Sequence, residues 1–161
     1  MEFVTDRTQS HVARLKKLRS IAWSDMSDSQ KSEYTSYAAK GAYNYTDLNR
    51  VETAVSELAA ELGLSLATKT NWTLWDIPVQ SDMERYLGNV VAIRDACPGN
   101  VAFPDLPNSM NRLTYEGANS IEKVLLLVYK KIHGIEEPDT PVNPGDADYV
   151  RSGEIYCGEV L

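Results

Sequence analysis

The chain has 161 residues, 43% hydrophobic and 24% charged, the profile of an ordinary globular domain rather than a collagen, a disordered chain or a membrane protein. The formal net charge of −7 is uneven: residues 1–134 carry −1 and residues 135–161 carry −6. No apolar run approaches the roughly 20 residues that span a bilayer, and the only basic cluster, Arg14, Lys16, Lys17 and Arg19, reads as a solvated helix face rather than a phosphate-binding one.

Helical periodicity dominates residues 1–134. Residues 8–22 place Val12, Leu15, Leu18, Ile21 and Ala22 on one stripe. Ser27-Asp-Ser-Gln30 has the form of a capping box and opens a second helix over about 28–39, carrying Tyr34, Tyr37 and Ala38 and ended by Gly41. Thr46 is the expected N-cap of the third helix, with Asp47 at the positive end of its dipole. Leu48, Val51, Val55, Leu58, Ala59 and Leu62 follow at spacings of three and four, and Gly63 closes the helix.

A loop over 64–78 carries Trp72, Trp75 and Ile77. Two tryptophans in a connector read first as plugs over a core, and second as a ligand cage. Ser81 is expected to cap a fourth helix over 82–96, with Met83, Tyr86, Leu87, Val90, Val91 and Ile93 inward. Three prolines make 97–110 an extended connector. Thr114 then caps a helix running to Ile132, with Ala118, Ile121, Val124, Leu125, Val128 and Tyr129 on its stripe. Leu126 and Leu127 carry its apolar surface past one face, so this helix either sits centrally or meets another subunit.

Residues 135–148 hold three prolines, five acids and a glycine, the composition of a solvated linker. Behind it, Ser152-Gly153-Glu154-Ile155-Tyr156 is followed at once by Cys157-Gly158-Glu159-Val160-Leu161, two copies of one five-residue pattern. Such a segment suits addition to a neighbour's sheet, or frays as a terminus. The predicted organisation is thus an all-α bundle of four to five helices over 1–134, with an acidic arm over 135–161 that can end in a short strand.

A second repeat lies within the bundle. Tyr45-x-x-Leu48-Asn49-x-Val51-Glu52 matches Tyr115-x-x-Ala118-Asn119-x-Ile121-Glu122, both at the first turns of apolar helices. The spacing turns Leu48/Val51 and Ala118/Ile121 inward and leaves Asn49 and Asn119 beside them. An amide there is suited to bonding a neighbouring backbone group, and this reading needs no catalytic chemistry.

Catalytic patterns are missing. His11 and His133 are far apart in sequence, Cys97 and Cys157 form no metal-type cluster, and no HExxH, G-x-S-x-G, Walker or GxGxxG motif occurs. The two thiols read as small apolar side chains. No catalytic residue, metal or cofactor is expected.

The stretch Gly41-Ala-Tyr-Asn-Tyr-Thr-Asp-Leu-Asn-Arg-Val-Glu52 resembles a signature of tail, baseplate and tail-fibre proteins of phages and prophages of Gram-positive bacteria. Three further stretches resemble small tail-region proteins of Firmicute prophages: Lys69-Thr-Asn-Trp-Thr73 with Asp76-Ile-Pro78, Met83-x-x-Tyr-Leu-x-Asn-Val90, and Leu113-Thr-Tyr-x-x-Ala-Asn-x-Ile-Glu-Lys123. The Gly-Glu ending is similar to the C-terminal repeats of that group. Gly117 departs from the pattern, where a better helix former is expected.

The resemblance implies a non-catalytic structural protein of the virion tail, made in the bacterial cytoplasm without a signal peptide. Its partners would be other tail or baseplate proteins and further copies of itself, with no nucleic acid and no membrane span. Asn49, Glu52, Asn119, Glu122, Leu126, Leu127 and the arm residues Gly153 to Tyr156, Gly158 and Glu159 are the candidate structural and contact residues. Two other functions remain open: an acidic inhibitor of a host protein, and a tail protein that binds or degrades cell wall.

Overall fold

The computed structural model describes residues 1–36 and 39–135. Among them the fold is all-α, with five α-helices and no strand: α1 (Gln9–Arg19), α2 (Asp28–Thr35), α3 (Tyr45–Glu61), α4 (Gln80–Asp95) and α5 (Tyr115–Ile132). A single 3₁₀ turn, Trp23–Asp25, separates the first two. The proposed arm over 136–161, with its Gly-Glu repeat, lies outside the described residues, as do Tyr37 and Ala38.

The core is a three-helix unit in which α3, α4 and α5 pack against one another. Val51, Val55 and Leu58 of α3, Tyr86, Val90 and Ile93 of α4, and Ile121, Val124, Leu125 and Val128 of α5 are all buried in it. These are the inward residues the 3.6-residue period selects. The Tyr43 and Tyr86 hydroxyls meet inside this core and bond each other, and burial pushes both phenols above their ordinary range. α5 packs against both α3 and α4, and Phe3 from the chain start packs on its Tyr129. Leu126 and Leu127 are half-buried.

Local signals at the helix ends explain where prediction and structure agree and where they part. Ser27 and Gln30 form the reciprocal capping box: the Gln30 N–H donates to Ser27 Oγ and the Ser27 N–H donates to Gln30 Oε1. The Gly117 N–H donates to Thr114 Oγ1 at 3.1 Å, so Thr114 caps α5. Gly63 sits at φ +69°, and the Leu64 N–H beyond it donates to the Ala59 carbonyl, which ends α3.

Two expected caps are displaced. The N-cap of α3 is Asn44, not Thr46, because Asn44 Oδ1 accepts the Thr46 N–H while Asp47 Oδ2 accepts the Asn44 N–H. For α4, the Asp82 carboxylate accepts the Val79 N–H at 3.1 Å. That draws the first turn upstream of Ser81, so the helix begins at Gln80.

The first two helices are shorter than their patterns suggest. α1 ends at Arg19, so Ile21 and Ala22 fall in the following turn and only Leu15 and Leu18 are buried on it. α2 ends at Thr35, well before Gly41. Gly41 has another role: a Cβ there would come within 2.2 Å of the His11 carbonyl oxygen, so only glycine lets the two backbones approach.

Candidate functional site

Asn49 and Glu52 lie on successive turns of α3 and face the same way. The chain leaving Gly63 passes beside them in extended form, with no strand partner for its peptide groups. The helix side chains supply those partners. The Lys69 N–H donates to Glu52 Oε2 at 2.7 Å. The Trp72 N–H donates to Asn49 Oδ1 at 2.7 Å, and Asn49 Nδ2 donates to the Trp72 carbonyl at 2.8 Å. The Trp72 indole Nε1–H also reaches Glu52 Oε1. Arg85 of α4 closes the group with a two-pronged pair to Glu52 at 2.6 and 2.9 Å, which raises the Arg85 pKa.

The same construction stands on α5. The Val4 N–H donates to Glu122 Oε2 at 2.6 Å and the Arg7 N–H to Asn119 Oδ1 at 3.0 Å. Asn119 Nδ2 donates to the Arg7 carbonyl at 2.8 Å. The Arg7 side chain, in the place of the indole, donates from Nη2 to Glu122 Oε1 and to Asp47 Oδ1, each at 2.8 Å. Arg50 of α3 takes the place of Arg85, binding both Glu122 oxygens. Burial opposes the charge of Arg50, but Glu122 and then Asp47 outweigh it and hold its pKa above the usual value.

The repeat seen in the helices therefore has a counterpart in what they hold. Val4-Thr5-Asp6-Arg7-Thr8 aligns with Lys69-Thr70-Asn71-Trp72-Thr73, a pattern of x-Thr-Asp/Asn-x-Thr. The arrangement is reciprocal. The segment that leads into α1 is clasped by α5, and the segment that leads into α4 is clasped by α3. The sequence singles out the Asn-x-x-Glu repeat and the Lys69–Thr73 stretch, but not Val4–Thr8 or the pairing of segment with helix; the spacing of three between bonded residues is the available signal.

Both carboxylates are buried and surrounded by donors, with Glu122 wholly inaccessible. Each accepts a backbone N–H and a charged or indole N–H, so the pair orders backbone that has no sheet or helix of its own. Among the described residues no group of histidine, cysteine and carboxylate side chains is placed to hold a metal, and no helix is long and apolar enough to cross a membrane.

Beyond the α3 clasp the loop turns outward. Asp76 Oδ2 accepts the Thr73 N–H at 2.6 Å and the Thr73 hydroxyl at 2.8 Å, while Lys69 Nζ donates to its other oxygen at 3.0 Å. The Thr73 hydroxyl, then Lys69, lower the Asp76 pKa to about 2. The Lys69 ammonium also lies 3.7 Å over the Trp72 ring, joining turn to clasp. This locked turn presents Trp75 and Ile77, each 87% exposed, with Leu74 and Val79 beside them. Trp72 is the plug the sequence suggests; Trp75 is not, because the Thr73–Asp76 turn points it away from the core.

Of the other candidate residues, Leu126 and Leu127 lie on α5 about one turn beyond Glu122, and Gly153, Glu154, Ile155, Tyr156, Gly158 and Glu159 lie outside the described residues. Compared with protein families, curated proteins and solved structures, the chain matches no family model, no curated protein and no solved structure.

Proposed function

We propose that this chain is a non-catalytic structural component of a phage or prophage tail, working through subunit packing and docking. The observation that carries this reading is the locked turn at Thr73–Asp76 with its outward Trp75 and Ile77. An apolar pair fixed in solvent by a charged and hydroxyl-bonded turn suits a surface built to be covered by another protein. The motif residues that resemble tail-region proteins, Asn49, Glu52, Asn119, Glu122 and Lys69 to Thr73, meanwhile serve the scaffold that holds this surface. The residues after Ile135 would form a second, acidic attachment to a neighbour, and two linked weak contacts hold better than either alone.

The test is location and loss. Antibody against the chain should label purified particles at the tail, and deleting its gene should leave heads without functional tails. Particles that lack the chain, with normal tails after its deletion, would overturn the reading.

A further inference from the structure

The outward side of α4 leaves part of its apolar surface uncovered among the described residues. Tyr86, Val90 and Ile93 turn into the core, while Leu87 and Val91 remain half-exposed on the far side with Glu84, Gly88 and Arg94. Leu87, Val91, Glu84 and Gly88, with Met83 and Met110, line an open groove of about 710 Å³ that runs back to Pro78 and Val79, the end of the Trp75/Ile77 loop. Loop and groove therefore adjoin at Pro78 and Val79.

Gly88 stands in the middle of this face. Glycine inside a helix is unfavourable relative to alanine. Among the described residues nothing requires it: a Cβ at Gly88 would meet no atom within 4 Å. What a missing side chain does provide is close approach for a second helix.

The order of side chains says which helix. Glu84 and Arg94 are both five positions from residue 89, and Leu87 and Val91 are both two positions from it. A helix of the same sequence laid antiparallel, with the symmetry axis at position 89, sets Leu87 against Val91 of the second copy and Glu84 against Arg94. Both contacts are then made twice, apolar on apolar and acid on base. This self-complementarity is what a two-fold interface demands. Among the described residues Arg94 pairs with the neighbouring, exposed Asp95, which leaves it within reach of a second carboxylate.

We infer that two copies of this chain associate through α4, antiparallel and crossing near Gly88. In that arrangement the Trp75/Ile77 loop, at the N-terminal end of one α4, lies near the C-terminal end of the other. There Leu106 and Pro107, beside Arg94 and Asp105, offer it apolar contact. The inference rests on the packing role proposed above and names its self-contact.

Light scattering behind size exclusion, on the full chain over a concentration series, tests it. The wild type should approach twice 18.0 kDa as concentration rises. Glu84→Arg and Arg94→Glu should each return the mass to that of the monomer, and the double exchange Glu84→Arg/Arg94→Glu should restore the dimer. Circular dichroism should show unchanged helix content in all three, since both positions are on the surface. Gly88→Leu, whose Cβ has open space among the described residues, should also weaken the dimer. A wild type that stays monomeric, an oligomer indifferent to these changes, or a double exchange that fails to restore association would each overturn the antiparallel pairing. None of these results bears on whether the chain is found in tail particles, which the labelling experiment decides separately.

Discussion

Asn49 holds Trp72 by both polar groups of one residue, donating to its carbonyl at 2.8 Å and accepting its N–H at 2.7 Å. Asn119 does the same to Arg7. An extended segment held this way gains the two hydrogen bonds a strand neighbour would give it, but from a single amide. Alanine at either position leaves a peptide N–H and a carbonyl without partners. Asn49→Ala and Asn119→Ala should each lower stability by about 1–3 kcal/mol in urea melts. Unchanged midpoints in both would show that water replaces the amide freely.

The two carboxylates should differ in cost. Glu122 and Arg7 are both almost wholly buried, whereas Arg85, opposite Glu52, keeps 26% of its side chain exposed. Removing the charge of Glu122 leaves Asp47 alone to balance both Arg7 and Arg50 in the interior, a loss that approaches the roughly 3–5 kcal/mol of a buried pair broken on one side. Removing that of Glu52 lets Arg85 turn to water, leaving a loss of about 1–3 kcal/mol from the unpaired Lys69 and Trp72 donors. Glu122→Gln should therefore unfold at clearly lower denaturant than Glu52→Gln. Equal losses would mean that the Arg7 site hydrates despite its burial.

Much of this was legible beforehand, and the reasons are local. α3 and α5 announce themselves because Leu48 to Leu62 and Ala118 to Ile132 keep a helical period between a capping residue and a glycine. The repeated Asn-x-x-Glu was visible for the same reason, since it rides on those helices. Its targets were not. Val4 to Thr8 and Lys69 to Thr73 have no periodicity, and what distinguishes them is a bond to a helix more than 100 residues away in one case. Trp72 and Trp75 likewise look alike in sequence. Only the bonds from Thr73 to Asp76 decide that one goes in and the other out. The displaced caps have the same origin: Asn44 and Val79 start their helices because Asp47 and Asp82 reach back to their N–H groups.

The Asp76 turn should be readable by pH. Its carboxyl is held at about 2, well below its ordinary 3.8, first by the Thr73 hydroxyl and next by Lys69. A depressed folded value means the turn's contribution is complete above the ordinary value and is lost as pH falls through the folded one. In carbon-detected NMR, the Asp76 carboxyl should titrate near 2 in the wild type, and higher in Thr73→Val. A wild-type midpoint at the ordinary value would show that the turn is open in solution.

Trp75 and Ile77 separate folding from association. Neither touches the core, and surface substitutions away from caps and buried groups usually change stability by less than about 0.5 kcal/mol. Trp75→Ser and Ile77→Ser should therefore melt with the wild type. A buried Trp at an interface, in contrast, often accounts for 2 kcal/mol or more of binding, roughly a thirtyfold change in affinity. The same variants should lose incorporation into particles and shift self-association to higher concentration in sedimentation runs. Trp72→Ser is the contrasting case, since it removes a buried ring and the indole donor to Glu52 and should destabilise the fold itself. If Trp75→Ser leaves both incorporation and self-association intact, the exposed pair is not a contact surface.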